Sequence, residues 1–175
     1  MALAAFNLKR WIDEHRQLLK PPVGNAMVWK DTEFQVMIVG GPNARKDYHI
    51  EDGEELFFQI EGDIVVKVID GGKPHDVIVR EGDIFLLPPG IPHSPQRPAG
   101  TVGMVVERMR AEKEIDHLTW FCESCGNKLH DATFHCKDLA TQLKPVIEAF
   151  FADEAKRTCK KCGTVMQPPA PAKAV

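Results

Sequence analysis

The chain has 175 residues, enough for one domain of ordinary size and a small additional module, and its 43% apolar and 27% charged residues fit a folded globular protein rather than a disordered one. Twenty-two basic residues against 25 acidic ones leave a net charge of -3 and no basic block, which argues against nucleic acid as a partner. No apolar run approaches the ~20 residues that span a bilayer, and the opening MALAAFNLKRW has neither the charged start nor the long apolar stretch of a signal peptide, so a cytoplasmic protein is expected.

Leu8, Trp11, Ile12, His15, Leu18 and Leu19 recur at spacings of three and four, behind the capping residue Asn7 and ahead of Pro21 and Pro22. The spacing predicts an amphipathic helix over 7–19, packed on the outside of the domain. From Met27 to about Met109 the pattern changes to short runs rich in Val, Ile and Phe: FQVMIV from 34, ELFFQI from 55, DIVVKVI from 63, HDVIV from 75, DIFLLP from 83 and TVGMVVERM from 101. With turns at Glu61-Gly62-Asp63, Asp70-Gly71-Gly72 and Glu81-Gly82-Asp83, they predict a closed or double-sheet all-β domain. Residues 117–163 hold all five cysteines, four of them in two pairs, and a second helical pattern at Val146, Ile147, Phe150 and Phe151 between the pairs, with Pro145 expected in its first turn. The tail QPPAPAKAV has nothing to bury and is expected to be disordered. The expected division is 1–112 for the β domain with its helix, 113–166 for a C-terminal segment with a metal module and helix, and 167–175 for the tail.

His49, Glu55 and His93 are the first candidates for chemistry. A carboxylate at the mouth of one strand and histidines at the ends of two others can converge inside a barrel, leaving open positions on an octahedral metal. On residue types alone, a solvated glutamate and two hydrogen-bonded loop histidines remain the alternative. Cys122-Glu-Ser-Cys125-Gly and Cys159-Lys-Lys-Cys162-Gly form two knuckles that offer four soft ligands, suited to zinc or to a single iron; a redox dithiol or two disulfides are the competing readings. Cys136 is expected to be a buried small apolar residue, and His117, His130 and His135 spectators near the module.

Glu55 and Gly62, with six residues between them, and Gly82, Pro88, Pro89, Gly90 and His93 stand at the spacings of the two motifs of the cupin superfamily, which this chain resembles. Where that superfamily has two histidines flanking one residue, this chain has His49 and Glu51. The resemblance thus implies a triad of His49, Glu55 and His93, with Glu51 outside it. With the helix RWIDEH, the stretches LKPPVGN and HSPQRP, and the paired CxxCG motifs, the chain from about Phe6 to Gly163 is similar to the bacterial 3-hydroxyanthranilate 3,4-dioxygenase family. That resemblance implies a mainly β protein: a cupin double-stranded β-helix (jelly-roll barrel) with an N-terminal helix and a small C-terminal rubredoxin-like module. It also implies a homodimer and a catalytic Fe(2+), opening 3-hydroxyanthranilate with dioxygen to 2-amino-3-carboxymuconate semialdehyde, the precursor of quinolinate. A second iron or zinc is implied at Cys122, Cys125, Cys159 and Cys162.

Such a substrate carries a carboxylate, and guanidinium groups meet carboxylates in bidentate geometry. Arg45, on one face with Asp47 and His49 if that segment is extended, and Arg97, four residues beyond His93, match the family's substrate-binding arginines; a surface ion pair is the alternative for each. Along TVGMVVER, Thr101, Gly103, Val105 and Glu107 make a small face ending in an acid, while Val102, Met104 and Val106 make a bulkier one for the second sheet or a partner subunit. The resemblance gives Glu107 a role in proton transfer and in holding the substrate, Asn25 a minor contact, and Asp47 the orientation of an arginine. Two other functions compete: a non-catalytic small-molecule-binding cupin, and another metal-dependent cupin enzyme. A pair of buried arginines facing one acid separates them from the dioxygenase.

Overall fold

The computed structural model describes residues 4–20, 24–29, 32–43 and 45–169. Pro21 and Pro22, expected to end the first helix, and the last six residues of the tail lie outside the described residues. Helix α1 (Leu8–His15) starts at Asn7, whose side-chain oxygen accepts the N–H of Arg10 at 2.9 Å. The chain then tightens into a 3₁₀ turn (Arg16–Leu19) instead of continuing as one α-helix to residue 19. The tighter turn carries Leu19 into the same apolar cluster as Ile12, while Arg16 bonds both Asp13 and Glu61.

Eleven strands follow among the described residues: β1 (Asn25–Met27), β2 (Phe34–Gly40), β3 (Asp47–Ile50), β4 (Glu55–Glu61), β5 (Ile64–Asp70), β6 (Lys73–Val79), β7 (Ile84–Leu87), β8 (His93–Gln96), β9 (Val102–Arg108), β10 (Asp116–Phe121) and β11 (Lys128–Phe134). They form two antiparallel sheets, ordered β1-β2-β9-β4-β7 and β11-β10-β3-β8-β5-β6. This is the expected mainly β, double-sheet architecture. Period-two alternation builds its core: Ile64, Val66 and Val68 of β5 face Met37, Phe57 and Val105 of the other sheet. Outside the five-stranded sheet, α1 covers Ile38 and Val102.

Helix α2 (Leu139–Ala152) begins six residues before Pro145, so that proline is interior and not in the first turn as expected. Proline has no N–H to give Thr141, which forfeits one helical hydrogen bond. Burial of Leu139 and Leu143 against the two clusters that α2 bridges offsets the loss, and the Gln142 side-chain oxygen accepts the N–H groups of Lys137 and Asp138 at 2.6 and 2.8 Å. A short helix α3 (Glu154–Arg157) leads into the second cysteine knuckle. No helix among the described residues is long and apolar enough to cross a membrane.

Trp120 of β10 is wholly buried and stacks on Phe150 of α2, ring centroids 4.1 Å apart, joining the C-terminal helix to the sheet. Trp120→Ala is expected to lower unfolding free energy by about 3–5 kcal/mol, read from urea melts, because the cavity lies where helix and sheet both pack.

Candidate metal centre and its buried charges

Strand register assembles the centre. His49 of β3 lies directly opposite His93 of β8, and on the facing sheet Glu55 of β4 lies opposite Glu107 of β9. One ligand atom from each of His49, Glu55 and His93 falls within 4.8 Å of the others, and all three residues are buried. The same is true of Glu51, Glu55 and Glu107, so Glu55 belongs to both groups, whereas Glu51 stays outside the histidine triad.

The donor atoms fit a divalent cation. His93 Nδ1 lies 3.0 Å from the Ile91 carbonyl, a contact that requires the proton on Nδ1 and leaves Nε2 with a lone pair. That Nε2 sits 2.8 Å from Glu55 Oε2, a buried atom with no hydrogen-bond donor. Two lone pairs at this separation repel unless a proton or a metal ion lies between them. Burial pulls the His49 pKa down, disfavouring imidazolium and keeping the ring available as a ligand. Burial opposes ionisation of Glu55, but a proton on His93 Nε2, in the place a metal ion would take, outweighs it together with His49 and Arg110 and holds the carboxyl below its ordinary range.

Further charged residues surround the triad. Arg45 bonds the buried Asp47, with Nε at 3.1 Å. Arg97 is 3% exposed, yet among the described residues its guanidinium meets no carboxylate: the one side-chain hydrogen bond it makes with them runs from Nη1 to the Gln59 side-chain oxygen at 3.4 Å. Burial brings its pKa down to about 10, the counter-pull of Glu55 only partly compensating. A buried cation without a counter-ion is a costly arrangement that an anionic ligand relieves. Asn25, the minor candidate, has a buried side-chain oxygen with no hydrogen-bond partner among the described residues.

Sequence reasoning missed Arg110 and Asp116. The Arg110 guanidinium is buried among three carboxylates, with Glu51 at 2.9 Å, Glu107 at 3.0 Å and Asp116 at 2.9 Å. Asp116 in turn lies 2.7 Å from His49 Nε2. Burial nevertheless pushes the Glu107 carboxyl up to about 7, with Glu55 adding to the shift, and the Glu51 carboxyl up to about 10, with Glu107 adding to it. In the sequence, Arg110 sits in the charged stretch ERMRAEKEID, which reads as a solvated surface. Gln35, whose partner across the strand pair is Glu107, was missed too; it is 1% exposed with both amide atoms lacking a partner among the described residues.

In the second cluster, Cys122 and Cys162 are 3.6 Å apart, as are Cys125 and Cys159, and all four sulfurs lie within 4.8 Å of one another. These separations exclude disulfides and approach the ~3.8 Å edge of a tetrahedron with sulfur arms of about 2.3 Å. The Gly126 and Gly163 amides close the two knuckles onto the Cys122 and Cys159 carbonyls. Thr164 brings the Cys162 thiol down to about 6, favouring thiolate. Cys136 is buried in the main core, and His117, His130 and His135 bond or stack elsewhere.

Replacing Arg110 by Met is expected to cost about 3–5 kcal/mol in urea unfolding, because three buried carboxylates lose their common counter-ion; a loss under 1 kcal/mol would show that they are neutralised otherwise.

Comparison with known proteins agrees with this arrangement. The model of the 3-hydroxyanthranilic acid dioxygenase family matches residues 1–151. A protein of Ruegeria pomeroyi named 3-hydroxyanthranilate 3,4-dioxygenase is 52% identical over 164 residues, covering 93% of this chain and 91% of that protein. Its namesake in Jannaschia sp. is 54% identical over 164 residues, with the same coverage of 93% and 91%. Another, in Xanthomonas campestris pv. campestris strain B100, is 50% identical over 171 residues, covering 98% of this chain and 96% of that one. The chain belongs to the 3-hydroxyanthranilic acid dioxygenase family.

Proposed function

We propose that the protein is a metal-dependent ring-cleaving dioxygenase that converts 3-hydroxyanthranilate and dioxygen to 2-amino-3-carboxymuconate semialdehyde, with Fe(2+) held by His49, Glu55 and His93. The observation that carries this reading is the buried, unneutralised Arg97 beside a triad of two histidines and one carboxylate. A neutral sugar or diketone gives no reason to bury such a cation, whereas an aromatic carboxylate supplies its missing charge. Three protein donors leave positions for the ring substituents and for dioxygen, and the iron, when bound, supplies the activation of dioxygen.

The protein's own groups do the rest. Arg97 and Arg45 hold the carboxylate, fixing the ring's orientation. Glu107, with its carboxyl pushed up to about 7, is poised to take a proton from the substrate's hydroxyl or amino group and return it to the product. The sandwich excludes bulk water, which strengthens each of these interactions. The four cysteines hold a second iron or zinc in a structural role. Residues 1–112 form the catalytic domain, 113–166 the segment that carries this module, and 167–175 a tail. The unoxidised cysteine pairs suit the reducing cytoplasm.

The partner we propose is a second copy of the chain, docked on the outer face of the five-stranded sheet. There Val36, Val106, Leu56 and Leu86 form one row across four strands, and Phe58 and Ile84 continue the next; Ile84 is 69% exposed and Leu86 52%. Four strands at about 4.8 Å spacing give an apolar strip roughly 15 Å wide, which a two-fold axis can pair with itself.

Adding 3-hydroxyanthranilate to anaerobically iron-loaded protein and then admitting air is expected to raise the absorbance of the ring-opened semialdehyde, and His93→Ala to abolish it. No product from folded, iron-loaded wild type would turn the reading towards a binding protein. Light scattering at micromolar concentration is expected to give a dimer, and Ile84→Glu combined with Leu86→Glu a monomer; a dimer that survives both changes would place the interface elsewhere.

A further inference from the structure

We propose that Gly103 and Gln59, neither of which touches the metal centre, are positioning residues that set selectivity for a carboxylated ring by fixing where the Arg97 guanidinium lies. The proposal rests on the reading of Arg97 given above and names what makes that arginine selective.

Gln59 of β4 and Gly103 of β9 face each other across the strand pair, and the ladder shifts between Gln59 and Glu61. This irregularity, completed by Gly62 at φ +64°, turns two carbonyls back towards the Gln59 side chain. Its Nε2 donates to the Glu61 carbonyl at 2.9 Å and to the Gly62 carbonyl at 2.8 Å. With both amide hydrogens so occupied, the amide cannot flip without losing them, and Oε1 is presented to Arg97. The arginine's main chain is held independently: its N–H donates to the Asn43 side-chain oxygen at 2.8 Å, and its carbonyl accepts the Asn43 N–H at 2.9 Å.

The guanidinium lies over Gly103. A Cβ at that position would stand 2.9 Å from Arg97 Nη1 and 2.7 Å from Gln59 Oε1, well inside ordinary contact distance. Both atoms are side-chain ends rather than backbone, and because the Gln59 amide is tied to two carbonyls, an added methyl chiefly displaces the Arg97 guanidinium and leaves the strand intact. Glycine in a strand interior weakens the sheet, and its φ here is not in the left-handed region, so no backbone requirement accounts for it. The space belongs to the guanidinium. A neutral acceptor at 3.4 Å holds this cation without neutralising it, leaving its charge for a ligand carboxylate.

The test compares two ligands that differ only by the carboxylate, 3-hydroxyanthranilate and 2-aminophenol, titrated calorimetrically into anaerobic iron-loaded protein. Wild type is expected to favour the carboxylated ligand by tenfold or more, about the worth of one charged hydrogen bond. Gly103→Ala is expected to reduce that preference about tenfold, by weakening 3-hydroxyanthranilate alone and leaving 2-aminophenol affinity, iron content and thermal midpoint unchanged. Gln59→Met, of similar length and without the oxygen that seats Nη1, is expected to reduce the preference in the same way and serves if the alanine variant is unstable. An unchanged preference in a folded variant would overturn the seating role while leaving the Arg97 reading intact. A wild type with no preference would overturn both.

Discussion

Charge buried in an apolar sandwich has to be neutralised locally, and the interior of this protein is organised around that constraint. Among the described residues, five carboxylates are buried: Asp47, Glu51, Glu55, Glu107 and Asp116. They face two fully buried guanidiniums, Arg97 and Arg110, and the mostly buried Arg45. A divalent cation closes the difference. Burial, and after it the neighbouring carboxylates, push the Glu51 and Glu107 carboxyls up, whereas Glu55, with histidines against it, is held below its ordinary range despite its burial. The distribution is uneven in a useful way. Arg110 serves three acids, and Arg97 serves none. In the proposed reading, the metal and the substrate carboxylate would therefore complete two different local deficits of opposite sign.

Strand pairing keeps these deficits apart. On β4, Glu55 and Gln59 point into the sandwich four residues apart, roughly 13 Å between Cα atoms, and on β9 their partners Glu107 and Gly103 do the same. The metal end and the Arg97 seat are thus set by one register, which a slip of a single residue would turn outward. Gly62 stands in the spacing with Glu55 that marks the first motif, and its carbonyl, not a ligand atom, fixes the Gln59 amide.

Local patterns carried much of this into the sequence. Alternation along TVGMVVER places Thr101, Gly103, Val105 and Glu107 on one face, and all four are buried. The apolar runs became strands β2, β4, β5, β6, β7 and β9, because each is long enough for period two to be read. The two motifs marked His49, Glu55 and His93 because their spacing reflects hairpins of fixed length. What was not legible depends on pairing between distant segments. Nothing in HIEDGEE or ERMRAEKEID tells that Arg110 turns inward to Glu51, nearly sixty residues earlier, since the same charges on a solvated loop would look identical. The extent of α2 was hidden by Pro145, a residue whose local preference for a first turn is overridden by the burial of Leu139 and Leu143.

The cysteine module gains a structural meaning from β10. This strand begins at Asp116, which contacts both His49 and Arg110, pairs with β3 through Leu118 opposite His49, and ends one residue before Cys122. Six residue steps, roughly 20 Å of extended chain, lead from the carboxylate beside His49 to the first thiol of the cluster. Between them Trp120 is clamped by Phe150 of α2, and Met166, beyond the second knuckle, joins the same cluster. The only covalent route from Cys125 to Cys159 runs through β11 and α2, so a metal held by the four thiolates closes this segment into a loop around Trp120. Closing a loop of about 35 residues stabilises it by restricting the unfolded chain, much as a cross-link would. The strand that places Asp116 against His49 is thereby tied at its far end to the cysteine cluster.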